Sequence, residues 1–114
     1  MPDPCEQEDR VDVWKSSDLS VRPGHPEVLH SSPKGRAIAI RLDAGTGLGD
    51  HEVHEDAWLT VAQGRVTVSA DGGRDEVPAG GLVAFDPRER HQVTAVEDSL
   101  LLLLLTPWPA PDRR

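Results

Sequence analysis

The sequence predicts an all-β domain, a sandwich or a barrel. Short apolar segments of about four to eight residues recur along the chain, and Gly, Pro or Asp turns separate them about every eight to twelve positions. No window carries apolar residues at helical spacing. At 114 residues one core is enough, because such a domain buries roughly two thirds of the surface that its unfolded chain exposes.

The alternation of apolar and polar residues along the chain predicts eight strands. The clearest example is the segment in which Ile38, Ile40 and Leu42 share one face. The predicted strands are 27–31, 37–42, 58–62, 65–70, 74–77, 82–85, 91–96 and 99–106. Asp71-Gly72 favours a hairpin turn between two of them, because both residues tolerate positive φ.

Composition changes at both ends predict where the barrel begins and ends. Residues 1–20 form a flexible N-terminal tail and docking segment, rich in Pro and acidic residues at its start, with Trp14 as the group that packs. The barrel itself spans 21–108. Residues 109–114 form a C-terminal tail, since the prolines near position 109 end regular structure.

The net charge of the chain disfavours some classes of binding partner. Acidic residues outnumber basic ones by 20 to 12, and the net charge of −8 disfavours nucleic-acid and membrane-surface binding. Cys5 is the single cysteine, so no intramolecular disulfide forms. The charged first ten residues do not resemble a signal peptide, and the apolar run 100–105 is shorter than the roughly 20 residues of a membrane span. We therefore expect a cytoplasmic protein.

A histidine-rich stretch is the strongest candidate for a site. Two histidines, His51 and His54, and four carboxylates lie within residues 50–56, just before a predicted strand. Side chains two apart in a strand face the same way, so His51 and Glu55 would share the interior while His54 points outward. A bulge at 52–53 would reverse that, and bulges cluster near active sites. His91 opens a later strand.

The same stretch resembles the first motif of the cupins, small jelly-roll β-barrels, written G-x5-H-x-H-x3-4-E-x6-G. With Gly45 and Gly64 at its ends, His51 stands on the first histidine. Val53 occupies the second histidine position and Ala57 the glutamate position. Two of the four usual ligands are therefore replaced.

A second cupin motif, G-x5-P-x-G-x2-H-x3-N, is met in part. Gly81 and Pro87 fit, whereas Glu89 fills a glycine position. His91 comes one residue early, and Ala95 stands where an asparagine follows. The resemblance covers about 38–106, most of the chain.

This resemblance implies a single-domain cupin-type jelly-roll barrel that binds a divalent metal, either Fe, Mn, Ni, Cu or Zn. The implied metal ligands are His51, His91 and His54. Glu55 is the candidate catalytic base or a substitute carboxylate ligand, with Asp50 as the alternative base. The pocket residues are Trp58 and Phe85.

Three functions are compatible with these residues. The first is a metal-dependent oxygenase, isomerase or lyase acting on a small polar or anionic molecule, since a metal held by histidines alone favours anionic ligands. The alternative is a non-catalytic module that binds a small molecule or metal as a sensor or carrier. The third is a barrel without ligands, in which the acidic residues of 50–56 are a solvated charge run.

The run 100–105 predicts a further contact. Its leucines point to both faces of one strand, which implies burial on both sides. Exposing three leucines would cost several kcal/mol at roughly 2 kcal/mol each. A homodimer would cover the second face, as is common among small cupins, or the N-terminal segment with Trp14 would fold over it.

Overall fold

Eight antiparallel strands make up most of the part of the chain that the structure describes. A computed structural model describes residues 11–48, 55–70, 72–86 and 90–107. The strands are β1 (Glu27–Ser32), β2 (Gly35–Leu42), β3 (Asp56–Gln63), β4 (Arg65–Ala70), β5 (Gly73–Pro78), β6 (Leu82–Phe85), β7 (Gln92–Ala95) and β8 (Ser99–Thr106). The helical content of these ranges is one 3-10 turn, Ser16–Asp18, and none of their helices is long and apolar enough to cross a membrane.

The strands form two sheets. The larger has five strands in the order β1-β2-β8-β3-β6, and the smaller has three in the order β5-β4-β7. Every pairing within them is antiparallel. The all-β prediction is confirmed, and the bounds of β4, β6 and β8 are those predicted from alternation.

The core lies between the inner faces of the two sheets. Alternate residues of each strand point into it, so that Leu59 and Val61 are buried while Thr60 between them faces outward. Burying each large aliphatic side chain contributes about 1.5–3 kcal/mol. The buried core residues are Ile40, Leu42, Ala57, Leu59, Val61, Val66, Val68, Phe85, Val93, Ala95, Leu101 and Leu105.

The N-terminal segment crosses the outer face of the larger sheet. Val21 and Leu100 are buried in a second, smaller cluster there, with Leu19 packed against them. The Arg41 Nε donates a hydrogen bond of 2.9 Å to the carbonyl of Val21. The segment therefore covers one end of the second leucine face of β8, whereas Leu104 at the other end remains 46% exposed.

A tight turn joins β3 to β4 against the start of β8. Gly64 there has φ +88°, and the side chain of Ser99 is fully buried beside it. The Ser99 Oγ accepts a hydrogen bond from the Arg65 amide (3.0 Å) and donates one to the Glu97 carbonyl (2.8 Å). A Cβ atom at position 64 would overlap this hydroxyl and the Asp98 carbonyl, so the turn requires glycine.

Candidate functional site

A carboxylate is buried where the chain enters β3. Glu55 immediately precedes the strand and is 1% exposed, and Ala57 is buried two residues later. Both therefore lie on the inner face of the larger sheet, as the period-two alternation predicts. Burying a carboxylate is costly unless it is compensated by other groups, which makes this position chemically distinctive.

An imidazole is buried at the start of β7. His91 is 4% exposed, and Val93 and Ala95 follow it on the inner face. Its ring stacks on that of Phe85, with centroids 3.8 Å apart and planes inclined by 13°. The aromatic ring fixes the place of the imidazole at the end of β6.

Strand register places Glu55 and His91 at the same end of the interior. Ala57 pairs with Phe85 across β3 and β6, and Glu55 lies two residues before Ala57 on the same face. His91 stacks on that same phenylalanine. A buried carboxylate and a buried imidazole thus lie at the same end of the interior as Phe85, in a core that is otherwise apolar.

The two remaining predicted histidine ligands, His51 and His54, lie outside the described residues, as do Asp50 and the predicted bulge at 52–53. Their convergence with His91 stays a prediction. Within residues 11–48, 55–70, 72–86 and 90–107, no group of three or more His, Cys, Asp and Glu side chains is arranged to hold a metal ion.

Trp58 does not line the interior, so that prediction is wrong. Ala57 and Leu59 on either side of it are buried, and the alternation turns Trp58 to the outer face, where it is 43% exposed. Phe85, the other predicted pocket residue, lies inside and is buried.

Two arginines border an open groove that reaches His91. The groove has a volume of about 400 Å³, and its lining includes Arg74, Arg90 and Ser69 besides His91. Ser69 pairs with Arg74 across β4 and β5. Neither arginine is among the site residues predicted from the sequence. Arg90 is adjacent to His91 in sequence, but Arg74 is brought there only by the hairpin register.

Comparison with solved structures finds the same architecture in other proteins. An uncharacterized conserved protein with a double-stranded β-helix domain from Klebsiella pneumoniae has a TM-score of 0.75 at 16% identity, over 89% of this chain and 94% of that one. A Cupin 2 conserved barrel domain protein from Salinispora arenicola has a TM-score of 0.68 at 22% identity, over 91% and 93%. KdgF from Halomonas sp. has a TM-score of 0.70 at 25% identity, over 78% and 85%.

Sequence comparison adds nothing to this likeness, since no protein-family model matches the chain and no curated protein matches it. The structural similarity extends over most of the chain and of each neighbour. It agrees with the two partial motifs around His51 and His91. The protein is therefore built on the cupin fold, the double-stranded β-helix barrel of the cupin superfamily.

Proposed function

We propose that this barrel is a metal-dependent enzyme, an oxygenase, isomerase or lyase, acting on a small polar or anionic molecule at the end of the interior that holds Glu55 and His91. The observation that carries the proposal is the burial of these two side chains. Among the described residues, the buried polar side chains are Glu55, His91 and Ser99. Ser99 has a structural role beside Gly64, so the other two are left for chemistry.

The donor types suit a divalent first-row metal. Imidazole nitrogen and carboxylate oxygen are ligands for Fe, Mn, Ni, Cu and Zn alike. His91 and Glu55 would bind such an ion together with His51 and His54, which precede Glu55 by four and one residues in the sequence. When bound, the metal would polarise an oxygen of the substrate or acidify a bound water.

Glu55 would compensate for the glutamate that the first cupin motif expects at position 57, where this chain has Ala57. Both positions face the interior, so a carboxylate at position 55 lies two residues before the motif position but on the same face of the strand. If Glu55 is not a ligand, a carboxylate in this place is suited to accept a proton from a bound molecule.

The surrounding charges favour an anionic molecule. Arg74 and Arg90 line the groove that reaches His91, and a guanidinium binds carboxylate or phosphate through parallel N–H donors. A chain with a net charge of −8 would otherwise repel such a ligand. The two arginines supply local attraction on the outer surface beside His91, since Arg74 pairs with Ser69 on the outward face of the three-stranded sheet.

A non-catalytic binding module is the second candidate. It is favoured by the replacement of two motif ligands by Val53 and Ala57, since fewer donors hold a metal more weakly. The single cysteine, Cys5, supports a cytoplasmic location for either function.

Elemental analysis of protein purified without an affinity tag tests the metal proposal. We expect close to one equivalent of a divalent metal in the wild type and at least about a tenfold loss in His91→Ala and His51→Ala. His30→Ala is the matched control, because His30 lies on β1 beside Trp14, away from the interior, and should keep its metal. Equally low metal in the wild type and all variants would contradict the proposal.

Glu55→Gln separates the two roles of the carboxylate. The substitution keeps the shape and removes the charge, so it should lower metal occupancy if Glu55 is a ligand and leave occupancy unchanged if it is a base. A metal-loaded wild type that neither consumes oxygen nor converts any member of a panel of small carboxylates would favour the binding module.

A further inference from the structure

The outer face of the three-stranded sheet carries two rows of polar side chains, each of which crosses all three strands. The rows are Gln92, Ser69 and Arg74, and Thr94, Thr67 and Glu76. Val66 and Val68 alternate with these residues on β4 and are buried, so both rows point away from the core. We call these six positions the polar face. It presents hydroxyl, amide and guanidinium groups to solvent.

Two adjoining grooves run over the polar face. The first is the groove of about 400 Å³ beside the β4–β5 hairpin, which also contains Arg90. The second has a volume of about 430 Å³ and continues over the two threonines. Gln92, Ser69 and Arg74 line both grooves. A molecule larger than a simple ion therefore has room along this surface.

The polar face is locally basic although the chain is acidic. Among the described residues that line the two grooves, Arg74 and Arg90 are basic and none is acidic. Glu76 lies outside both linings, and its carboxylate accepts a hydrogen bond of 3.4 Å from the guanidinium of Arg65. Asp75 alternates with these residues on β5 and so belongs to the other face of the sheet. An anionic group therefore meets two guanidinium groups here, in a chain whose net charge is −8.

Arg74 is well placed to hold an anionic group. Its side chain is exposed on β5, directly opposite Ser69 on β4. Within the described part of the chain, the ion pair on this face joins Arg65 to Glu76, and Arg74 takes no part in it. A guanidinium donates two parallel N–H groups to an oxyanion. The hydroxyl of Ser69 and the side-chain amide of Gln92, in the same row, supply further donors.

The charge of the two arginines matches that of a phosphate monoester. Such a phosphate carries a charge of about −1.5 to −2 at pH 7 and three acceptor oxygens, whereas a carboxylate carries a single charge and two oxygens. The hydroxyl and amide groups beside the arginines suit a molecule that has hydroxyl groups of its own. A polyanion such as nucleic acid would be repelled by the rest of the acidic chain, so one anionic group is the better fit.

We propose that the polar face binds a phosphate monoester of a small hydroxyl-bearing molecule. The phosphate lies between Arg74 and Arg90, and the hydroxyl-bearing part lies over Ser69 and the two threonines. This site is separate from the interior one, because Gln92 and Thr94 face outward on β7 whereas the residues between and after them are buried. No metal takes part in it, so it does not depend on the proposed function.

An NMR titration of the metal-stripped, 15N-labelled full chain tests the site. Glucose 6-phosphate should shift the backbone amide signals of Ser69, Gly73 and Gln92. It should bind at least about tenfold more tightly than inorganic phosphate, because it adds hydrogen bonds to the hydroxyl groups of the polar face. Glucose, which has no phosphate, should leave these signals in place. Stripping the metal ensures that phosphate bound to a metal ion does not contribute.

Two variants separate binding from folding. Arg74→Gln should weaken the binding of glucose 6-phosphate at least about tenfold, because charge-assisted hydrogen bonds are lost. Ser69→Asp places a carboxylate directly opposite Arg74, and opposite charges paired across two strands stabilise a sheet. This variant should therefore fold at least as well as the wild type and lose detectable binding. Arg22→Gln is the matched control, since it removes the same charge from an exposed side chain outside both grooves and should bind as the wild type does.

Three results would overturn the proposal. One is the absence of shifts at Ser69, Gly73 and Gln92 with glucose 6-phosphate at concentrations up to about 10 mM. Another is a Kd that changes less than about threefold in both Arg74→Gln and Ser69→Asp, provided that their circular dichroism matches the wild type. The third is binding of inorganic phosphate or of glucuronate as tight as that of glucose 6-phosphate, which would assign the site to a simple anion or to a carboxylate.

Discussion

Gly64 gives the sharpest prediction about the barrel, because a second glycine serves as its control. Gly64 and Gly80 have nearly the same positive φ, +88° and +91°. A Cβ at Gly80 would meet nothing within 4 Å, whereas one at Gly64 would overlap the Asp98 carbonyl and the Ser99 hydroxyl and lie 2.8 Å from the Ser99 Cα. Alanine at the two positions is therefore held at a similar φ but meets different surroundings.

The expected losses follow from these geometries. Holding alanine in the left-handed region costs about 1–2 kcal/mol at either site. At position 64 the methyl group also displaces Ser99, whose two hydrogen bonds with Arg65 and Glu97 are worth about 1 kcal/mol each. We expect Gly80→Ala to lose about 1–2 kcal/mol and Gly64→Ala about 3–4 kcal/mol of unfolding free energy.

Urea unfolding followed by far-UV circular dichroism measures both variants, with linear extrapolation to zero denaturant. The same difference of about 2 kcal/mol should appear as a melting temperature about 8 °C lower for Gly64→Ala than for Gly80→Ala, at about 4 °C per kcal/mol. If the two variants lose the same free energy within about 0.5 kcal/mol, the close packing of the β3–β4 turn on β8 is wrong.

Two further predictions concern the site and the surface. Phe85→Ala should lower stability by about 3–4 kcal/mol. Because it removes the ring on which His91 stacks, it should also lower metal occupancy more than Val66→Ala, a substitution at a buried residue away from the site. Equal metal occupancy in the two variants would show that Phe85 does not support the site. Glu76→Gln breaks the ion pair between Arg65 and Glu76, in which both side chains are about half exposed. Thermal unfolding should therefore show a change in unfolding free energy of less than about 0.5 kcal/mol. A larger loss would show that this pair is part of a stabilising network.

Strand positions were predictable from sequence because alternation is a local property. The run 100–105 is uniformly apolar, yet both ends of the strand were predicted correctly, since the polar residues Ser99 and Thr106 mark them. The start of β2 was placed two residues late. Gly35 pairs with Ser32 across a tight turn, and a glycine and a charged residue at positions 35–36 gave no apolar signal for a strand.

The candidate site was predictable in part. The burial of Glu55 follows from its position two residues before Ala57, on the same face of the strand. The same alternation turns Trp58 outward. The prediction for Trp58 failed because the position of a residue in the strand, and not its aromatic character, decides which face it occupies. The groove beside His91 was not predictable, since Arg74 reaches it through the β4–β5 register, which a single sequence does not specify.

The outer side of β8 shows the same limit. The leucines of 100–105 predicted burial on both sides of β8, and the N-terminal segment was one expected cover. Which leucines that segment reaches depends on where residues 19–21 cross the sheet, and the cluster that they join contains Leu100 and Leu102 but not Leu104. Only the three-dimensional register shows that Leu104 and Trp58 are neighbours.

The most direct test of the metal site is an NMR titration of metal-stripped, 15N-labelled protein with Mn²⁺, observed through the imidazole ring signals. A paramagnetic ion broadens the signals of the rings nearest to it. We predict that the His91 signals disappear before one equivalent is added, while those of His25 and His30 persist. Persistence of the His91 signals while those of His25 or His30 broaden would contradict a metal site at the Glu55 end of the barrel.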